Sequence, residues 1–141
     1  PQLNLEYSST SYATFGTIHS GLGNKDMAWK LFRSYQLIWQ DGSFQTWFKH
    51  PDKKETNYYL PAAGSFLQQI IFGFVGIHFD ISGIYLNPPM PTGWDTIELK
   101  NVAFGSGIYN IFIQKGDVAK IELIDGVADV PIYNQFAYRL N

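Results

Sequence analysis

The chain has 141 residues, of which 45% are apolar and 16% charged; that is enough for one ordinary domain or two small ones and argues against disorder. Its net charge is −2 and Lys53-Lys54 is its one basic doublet, so neither a nucleic-acid groove nor an anionic-membrane patch is expected. It has no cysteine, which excludes disulfides and thiolate metal sites without choosing a compartment, and no apolar run reaches the roughly 18 residues of a membrane span.

The start, Pro1-Gln-Leu-Asn, carries neither an initiator Met nor a signal-peptide pattern and reads as an internal cut in a longer protein. Residues 1–74 read as helical. A first helix is expected over residues 5–20, weakened by Ser/Thr and Gly16 and ended by Gly21 and Gly23. Asn24 is a good N-cap for the next helix, with Asp26 in its first turn. There Ala28, Leu31, Phe32, Tyr35 and Trp39 repeat at helical spacing, the clearest amphipathic stripe in the sequence. Met27, Trp29, Leu37 and Ile38 widen the apolar area, so this helix is expected to touch neighbours on more than one side.

Residues 40–61 read as a long loop, of a length that is usually functional or mobile. It carries Phe44, Trp47, Phe48, Tyr58 and Tyr59, an unusual load of rings for a solvated linker. After Pro61 a third helix is expected, its first turn almost bare of side chains. Uncovered backbone N–H groups at such a start favour an anion or a polar oxygen, while Phe66, Leu67, Ile70, Ile71 and Phe74 fall on one helical face.

From Val75 the period changes to two. Ile77-His-Phe-Asp-Ile81, Thr96-Ile-Glu-Leu-Lys100 and Ala119-Lys-Ile-Glu-Leu123 alternate as strands, and Tyr109 to Gln114 is a strand with apolar residues on both faces. Ser82-Gly83, Asn87-Pro-Pro89, Pro91-Thr-Gly93, Gly105-Ser-Gly107 and Gly116-Asp117 are turn signals between them, together suggesting a small antiparallel sandwich. Such a unit can close on itself. Three helices with apolar surface on several sides cannot, so an exposed apolar face and missing helices upstream are expected.

Few residues announce chemistry. His19, His50 and His78 have no partner at metal-ligand spacing, so no metal is expected, and no residue pattern calls for a cofactor. His78 alternates with Ile77 and Phe79 as a surface strand residue, while His50, beside Lys49 in the aromatic loop, is the best functional candidate of the three. The carboxylates are scattered, with Asp41, Asp52 and Glu55 in the long loop, and no Gly-x-Ser-x-Gly elbow occurs.

At Tyr58-Tyr-Leu-Pro-Ala-Ala-Gly-Ser-Phe-Leu-Gln-Gln-Ile-Ile-Phe-Gly-Phe74, with Gly76-Ile-His-Phe79 and Gly83-Ile-Tyr-Leu-Asn-Pro88 after it, the chain resembles glycoside hydrolase family 65. Upstream, His19-Ser-Gly-Leu-Gly-Asn-Lys-Asp-Met-Ala-Trp-Lys-Leu-Phe32 looks like that family's last helical hairpin. The resemblance covers the chain to about Leu123. It implies an α+β chain in which residues 1–74 are the closing helices of an (α/α)6 barrel and residues 75–141 a small antiparallel β-sandwich.

It further implies an α-glucoside or disaccharide substrate and an inverting acid/base hydrolysis whose general acid, a glutamate, lies upstream of Pro1, so the chain alone is inactive. The alternatives are a disaccharide phosphorylase, with phosphate at the Gly64/Ser65 helix start and Lys49 or His50 beside it, and a non-catalytic sugar-binding module with Trp47, Tyr58 and Tyr59 as a stacking platform. The residues expected to meet substrate or phosphate are Trp47, Lys49, His50, Tyr58, Gly64 and Ser65. Many hydrolytic relatives carry Trp-Ser-Glu where this chain has Trp47-Phe-Lys49, and a lysine cannot replace that glutamate as a base. The implied partners are the substrate, phosphate and the missing N-terminal part, with no nucleic acid and no membrane.

Overall fold

The computed structural model describes residues 8–34 and 60–134. The chain divides into two compact units, Pro1–Phe74, helical where described, and Val75–Asn141, built of strands.

In the first unit α1 spans Ser9–Gly21, α2 Lys25–Arg33 and α3 Leu60–Gln68, and α3 runs on as a π-helix over Gln69–Phe74. Helix α1 tolerates its hydroxyl residues because Thr14 and Thr17 donate to the carbonyls of Thr10 and Ala13, at 3.0 and 2.9 Å. It ends in a Schellman arrangement. Gly23 takes φ 75°, its N–H donates to Ser20 O at 3.0 Å, and the Asn24 N–H donates to His19 O at 2.8 Å. The same Asn24 then caps α2, its Oδ1 accepting from the Met27 N–H at 3.4 Å.

Tyr12, Ala13 and Leu31 form a small core with Met27 and Phe66 against it. Beside it the rings interlock: Phe32 stacks on Trp29 at 5.6 Å and on Phe66 at 4.9 Å, and meets Phe74 edge-on at 5.0 Å. Ala28 and Leu31 of the expected stripe are thus buried and Phe32 joins the rings. Tyr35 and Trp39 lie outside the described residues, as does the start of the first helix before residue 8.

The expected face of the third helix is corrected. Leu67 is 55% exposed, whereas Gln69, a polar residue, is fully buried with Phe74. From Gln69 on the helix is a π-helix, whose i→i+5 bonding widens each turn, so the residues from 69 to 74 leave the α-helical phase on which the stripe was drawn; Leu67 precedes it, in the α-helical part. Gln69 uses that shift to cross the unit. Its Nε2 donates to the Ala28 carbonyl of α2 at 3.1 Å, and its amide lies over Gly16 of α1, where a Cβ would collide with it. Gly73 is the matching close approach, leaving 3.3 Å between a notional Cβ and Ser20 Oγ. Ile18 of α1, Leu22 just after it, and Leu60 and Leu67 near the two ends of α3 are exposed apolar residues.

The second unit holds two three-stranded sheets, β1 (Ile77–Asp80), β2 (Gly83–Leu86) and β6 (Ile132–Asn134) in the order β1-β2-β6, and β3 (Thr96–Phe104), β4 (Gly107–Gln114) and β5 (Lys120–Gly126) in the order β3-β4-β5. All pairings are antiparallel but one. β2 and β6 run parallel, Ile84 opposite Ile132 and Tyr85 opposite Tyr133, so the expectation of a purely antiparallel unit fails there. The chain returns to β2 only after passing through the whole second sheet, as a parallel pair requires a long crossover.

Strand β4 is the centre, with Gly107, Tyr109, Ile111 and Ile113 buried at every second position. β3 continues past Lys100 through a bulge between Leu99 and Val102, where Asn101 sits at φ 55° and the Asn110 side chain accepts its N–H at 3.1 Å. Ile81, expected in the first strand, is instead fully exposed in the β1–β2 turn, which Asp80 Oδ1 fixes by accepting the Ser82 N–H at 2.6 Å. The Asn134 side chain donates to the Ala119 carbonyl at 2.9 Å and Phe79 meets Phe104 edge-on at 6.3 Å, tying the two sheets to each other.

Candidate functional site

Of the six residues expected to meet substrate or phosphate, two are described. Gly64 and Ser65 are the fifth and sixth residues of α3; Trp47, Lys49, His50 and Tyr58 lie outside the described residues, together with Asp41, Asp52 and Glu55. The helix begins at Leu60, with Pro61 in its first turn, where a missing N–H costs no intrahelical bond. In such a helix the uncommitted donors are those of the first turn, Leu60 and Ala62, whereas the Gly64 and Ser65 amides already point to carbonyls four residues back.

Ser65 adds to this commitment. Its hydroxyl donates to the Pro61 carbonyl at 2.7 Å and keeps only its lone pairs for anything else. Gly64 is different: it is exposed, and a Cβ built on it would meet nothing within 4 Å. An incoming group can therefore approach the backbone there from solvent. Ala62, one turn face away, is fully buried, so the start of α3 is anchored on one side and open on the other. The rings of Phe66 and Phe74, packed on Phe32, hold the axis of the helix behind that open side.

The remaining candidates are placed as follows. His78 is exposed on β1 opposite Tyr85, the surface position its alternation implies. His19 is half-buried in the last turn of α1, with a buried Nδ1 that finds no partner among the described residues. No group of three His, Asp, Glu or Cys side chains among the described residues could hold a metal ion, and no described helix is long and apolar enough to cross a membrane.

One concave feature was not foreseen. A cleft of about 380 Å³ opens in the strand unit, lined by Tyr109, Ile121 and the segment Ala128, Asp129, Val130, Pro131 and Ile132. Tyr109 is 4% exposed, and its hydroxyl has no hydrogen-bond partner among the described residues. The Asp129 carboxylate accepts the Ser106 N–H at 2.9 Å, and the backbone and hydroxyl of Ser106 hold its pKa below the ordinary carboxylate value. In the sequence Asp129 and Pro131 read only as loop residues after the last recognisable strand, and Tyr109 as strand core, so nothing brought them together.

No family model matches the chain, and no curated protein matches it. Among solved structures its fold is similar to that of a protein from the human microbiome assigned by name to the kojibiose phosphorylases, with a TM-score of 0.71 and 16% identity. The match covers 95% of this chain and 20% of that one, so the chain spans about a fifth of the length of that neighbour. What the two share is a fold: a mixed helix-and-sheet arrangement running through nearly the whole of this chain.

Proposed function

We propose that this chain is the C-terminal portion of a carbohydrate-active enzyme of the family 65 type, one that cleaves an α-glucosidic bond in a disaccharide. The observation that carries the reading is the fold likeness across 95% of the chain to a protein bearing the name of a disaccharide phosphorylase. The segment from Tyr58 to Phe74, read from sequence as resembling that family, agrees with it. On this reading residues 1–74 close an (α/α)6 barrel and residues 75–141 form its accessory sandwich. The exposed Ile18, Leu22, Leu60 and Leu67 then pack against the preceding part of the same protein.

The chemistry follows from what inversion requires. A glutamate upstream protonates the glycosidic oxygen as the bond to the anomeric carbon breaks, and a nucleophile attacks that carbon from the opposite face. In hydrolysis the nucleophile is water and a carboxylate takes its proton; in phosphorolysis a phosphate oxygen attacks and the product is glucose 1-phosphate. Phosphorolysis is favoured by two particulars, the name of the structural neighbour and the lysine at position 49, where many hydrolytic members of the family the chain resembles carry a glutamate. Lys49 and His50 supply cationic character suited to phosphate, the uncommitted N–H of exposed Leu60 at the start of α3 supplies a donor, and the bare Gly64 beyond it leaves the approach open.

The test is to incubate the protein encoded by the complete gene with kojibiose, maltose and trehalose, with and without inorganic phosphate. Glucose 1-phosphate formed only with phosphate supports phosphorolysis, free glucose without phosphate supports hydrolysis, and no cleavage of any of these disaccharides rejects the proposal.

A further inference from the structure

We infer that the open edge of β5 is an interface between two copies of this chain, in which the two β5 strands pair antiparallel across a two-fold axis at Ile121 and join two three-stranded sheets into one. The inference stands on the strand unit by itself and does not depend on the function proposed above.

β5 ends the sheet β3-β4-β5, so alternate residues turn their N–H and C=O groups away from β4, toward a side on which no strand of the sheet follows. Six of its seven residues are exposed and Ile121 is half-buried. The two ends of the strand are closed by side chains. The Ala119 carbonyl accepts the Asn134 amide at 2.9 Å, and the Gly126 N–H donates to the Asp125 carboxylate at 2.8 Å. Between them, no described residue outside the sheet bonds to the backbone of residues 120–124. Leu123 shows where the core face is cut short. It stands opposite buried Tyr109, yet is 42% exposed, because the sheet ends beside it.

Charge and a bulge select both the occupant and the register. Ile108 pairs with Asp125 and Tyr109 with Leu123, so Ile124 is the extra residue of a bulge and the regular ladder stops at Leu123. A two-fold axis at Leu123 would set that bulge opposite Glu122, and an axis at Glu122 would set two carboxylates face to face. An axis at Ile121 sets Lys120 of each copy opposite Glu122 of the other, with Ile121 against Ile121 and Leu123 against Ala119. The strand is thus complementary to itself. Lys120 and Glu122 stand opposite Phe112 and Asn110 of β4 on one face, and neither has an ion-pair partner among the described residues. Ile121 and Leu123 stand opposite Ile111 and Tyr109 on the other, so the buried face continues from one copy into the next. A single edge pairing falls short of the roughly 1,000 Å² of a stable interface, which sets the dissociation constant on the order of 100 μM.

The experiment is sedimentation equilibrium of the 141-residue chain over a concentration series, with amide exchange of residues 119–123 measured at its two ends. The chain is expected to dimerise, and exchange at those residues to slow, as concentration rises. Lys120→Glu and Glu122→Lys each turn both cross-strand ion pairs into like-charge pairs and are expected to weaken association by about tenfold or more, while the two changes together restore it to within about threefold of the parent. A chain that stays monomeric at every concentration would overturn the inference. So would association that the single variants leave unchanged, which would place it on another surface such as the exposed Ile18 and Leu22. A double variant as weak as the singles, or exchange at residues 119–123 that does not respond to concentration, would overturn it as well, the latter meaning that another segment of the chain covers the edge.

Discussion

Gly16→Ala is the substitution on which sequence propensity and structure disagree most openly. In an isolated helix alanine is worth about 1 kcal/mol more than glycine, so propensity alone predicts stabilisation. In the folded unit a Cβ on residue 16 would collide with Gln69 Nε2 and lie 2.5 Å from its Cδ and 2.9 Å from its Oε1. The amide cannot swing away freely, because Gln69 is fully buried and its Nε2 is bonded to the Ala28 carbonyl. Moving it forfeits about 1 kcal/mol of hydrogen bond and adds about 1–3 kcal/mol of overpacking. Set against the propensity gain, the net expectation is destabilisation by about 1–3 kcal/mol.

Gln69→Ala alone should cost about 2–4 kcal/mol through lost packing, the cavity and the missing bond. The two changes are not independent, since in the double variant the methyl added at position 16 enters the space that the Gln69 side chain vacates. The double variant should therefore lose at least about 1 kcal/mol less than the sum of the singles. Urea denaturation of the four proteins followed by helical circular dichroism measures this cycle. Additivity within about 0.5 kcal/mol, or a Gly16→Ala protein more stable than its parent, would refute the account of how Gln69 binds the three helices.

Three further outcomes are expected. Asn24→Ala should destabilise the helical unit by about 0.5–1 kcal/mol, at the low end for a cap because the Asn24–Met27 bond is long at 3.4 Å, and thermal denaturation would register it. Gly76→Ala should do much worse, abolishing a folded strand unit or costing more than about 3 kcal/mol, because residue 76 sits at φ 67° and its Cβ would fall into the Asn87 carbonyl, which is backbone and cannot rotate away; amide exchange of β1 and β2 reports it. Asp129 has a folded pKa below its unfolded one, so its contribution to stability is present above about pH 4 and is lost as pH falls through the lower, folded value. Acid titration should show that loss, and the Asp129→Asn protein should lack it.

The sequence exposes those parts of the fold in which local pattern and tertiary need agree. The strands around Ile77, Thr96 and Lys120 were legible from their alternation and the one from Tyr109 from its apolar run, but burial follows a period of two cleanly only in β4, at Tyr109, Ile111 and Ile113; Phe79 of β1 and Leu123 of β5, apolar in the pattern, are exposed. Asn24 and Gly23 were legible because caps are local chemistry. The π-helix was not. A stripe drawn at α-helical spacing presumes hydrogen bonding to i−4, and a buried glutamine looks like a surface residue until Gly16 and Gly73 are found opposite it.

The parallel strand Ile132–Asn134 was invisible for a similar reason: three residues show no period, and its partner lies some fifty residues earlier in the chain. At the candidate site, the small residues before Phe66 marked an open helix start, yet the commitment of the Ser65 hydroxyl to Pro61 depends on rotamer and not on composition. The cleft at Tyr109 joins β4 to a segment twenty residues on, a juxtaposition that only the pairing of the sheets creates.

The measurement closest to the central claim compares two proteins in one assay: the complete gene product and this 141-residue chain, each given kojibiose and inorganic phosphate, with glucose 1-phosphate as the readout. The account predicts product from the complete protein and none from the chain alone, since the proposed function assigns the acid that protonates the glycosidic oxygen to a preceding part of the protein. Turnover by the isolated chain, or a complete protein that cleaves no α-linked glucose disaccharide with or without phosphate, would contradict it.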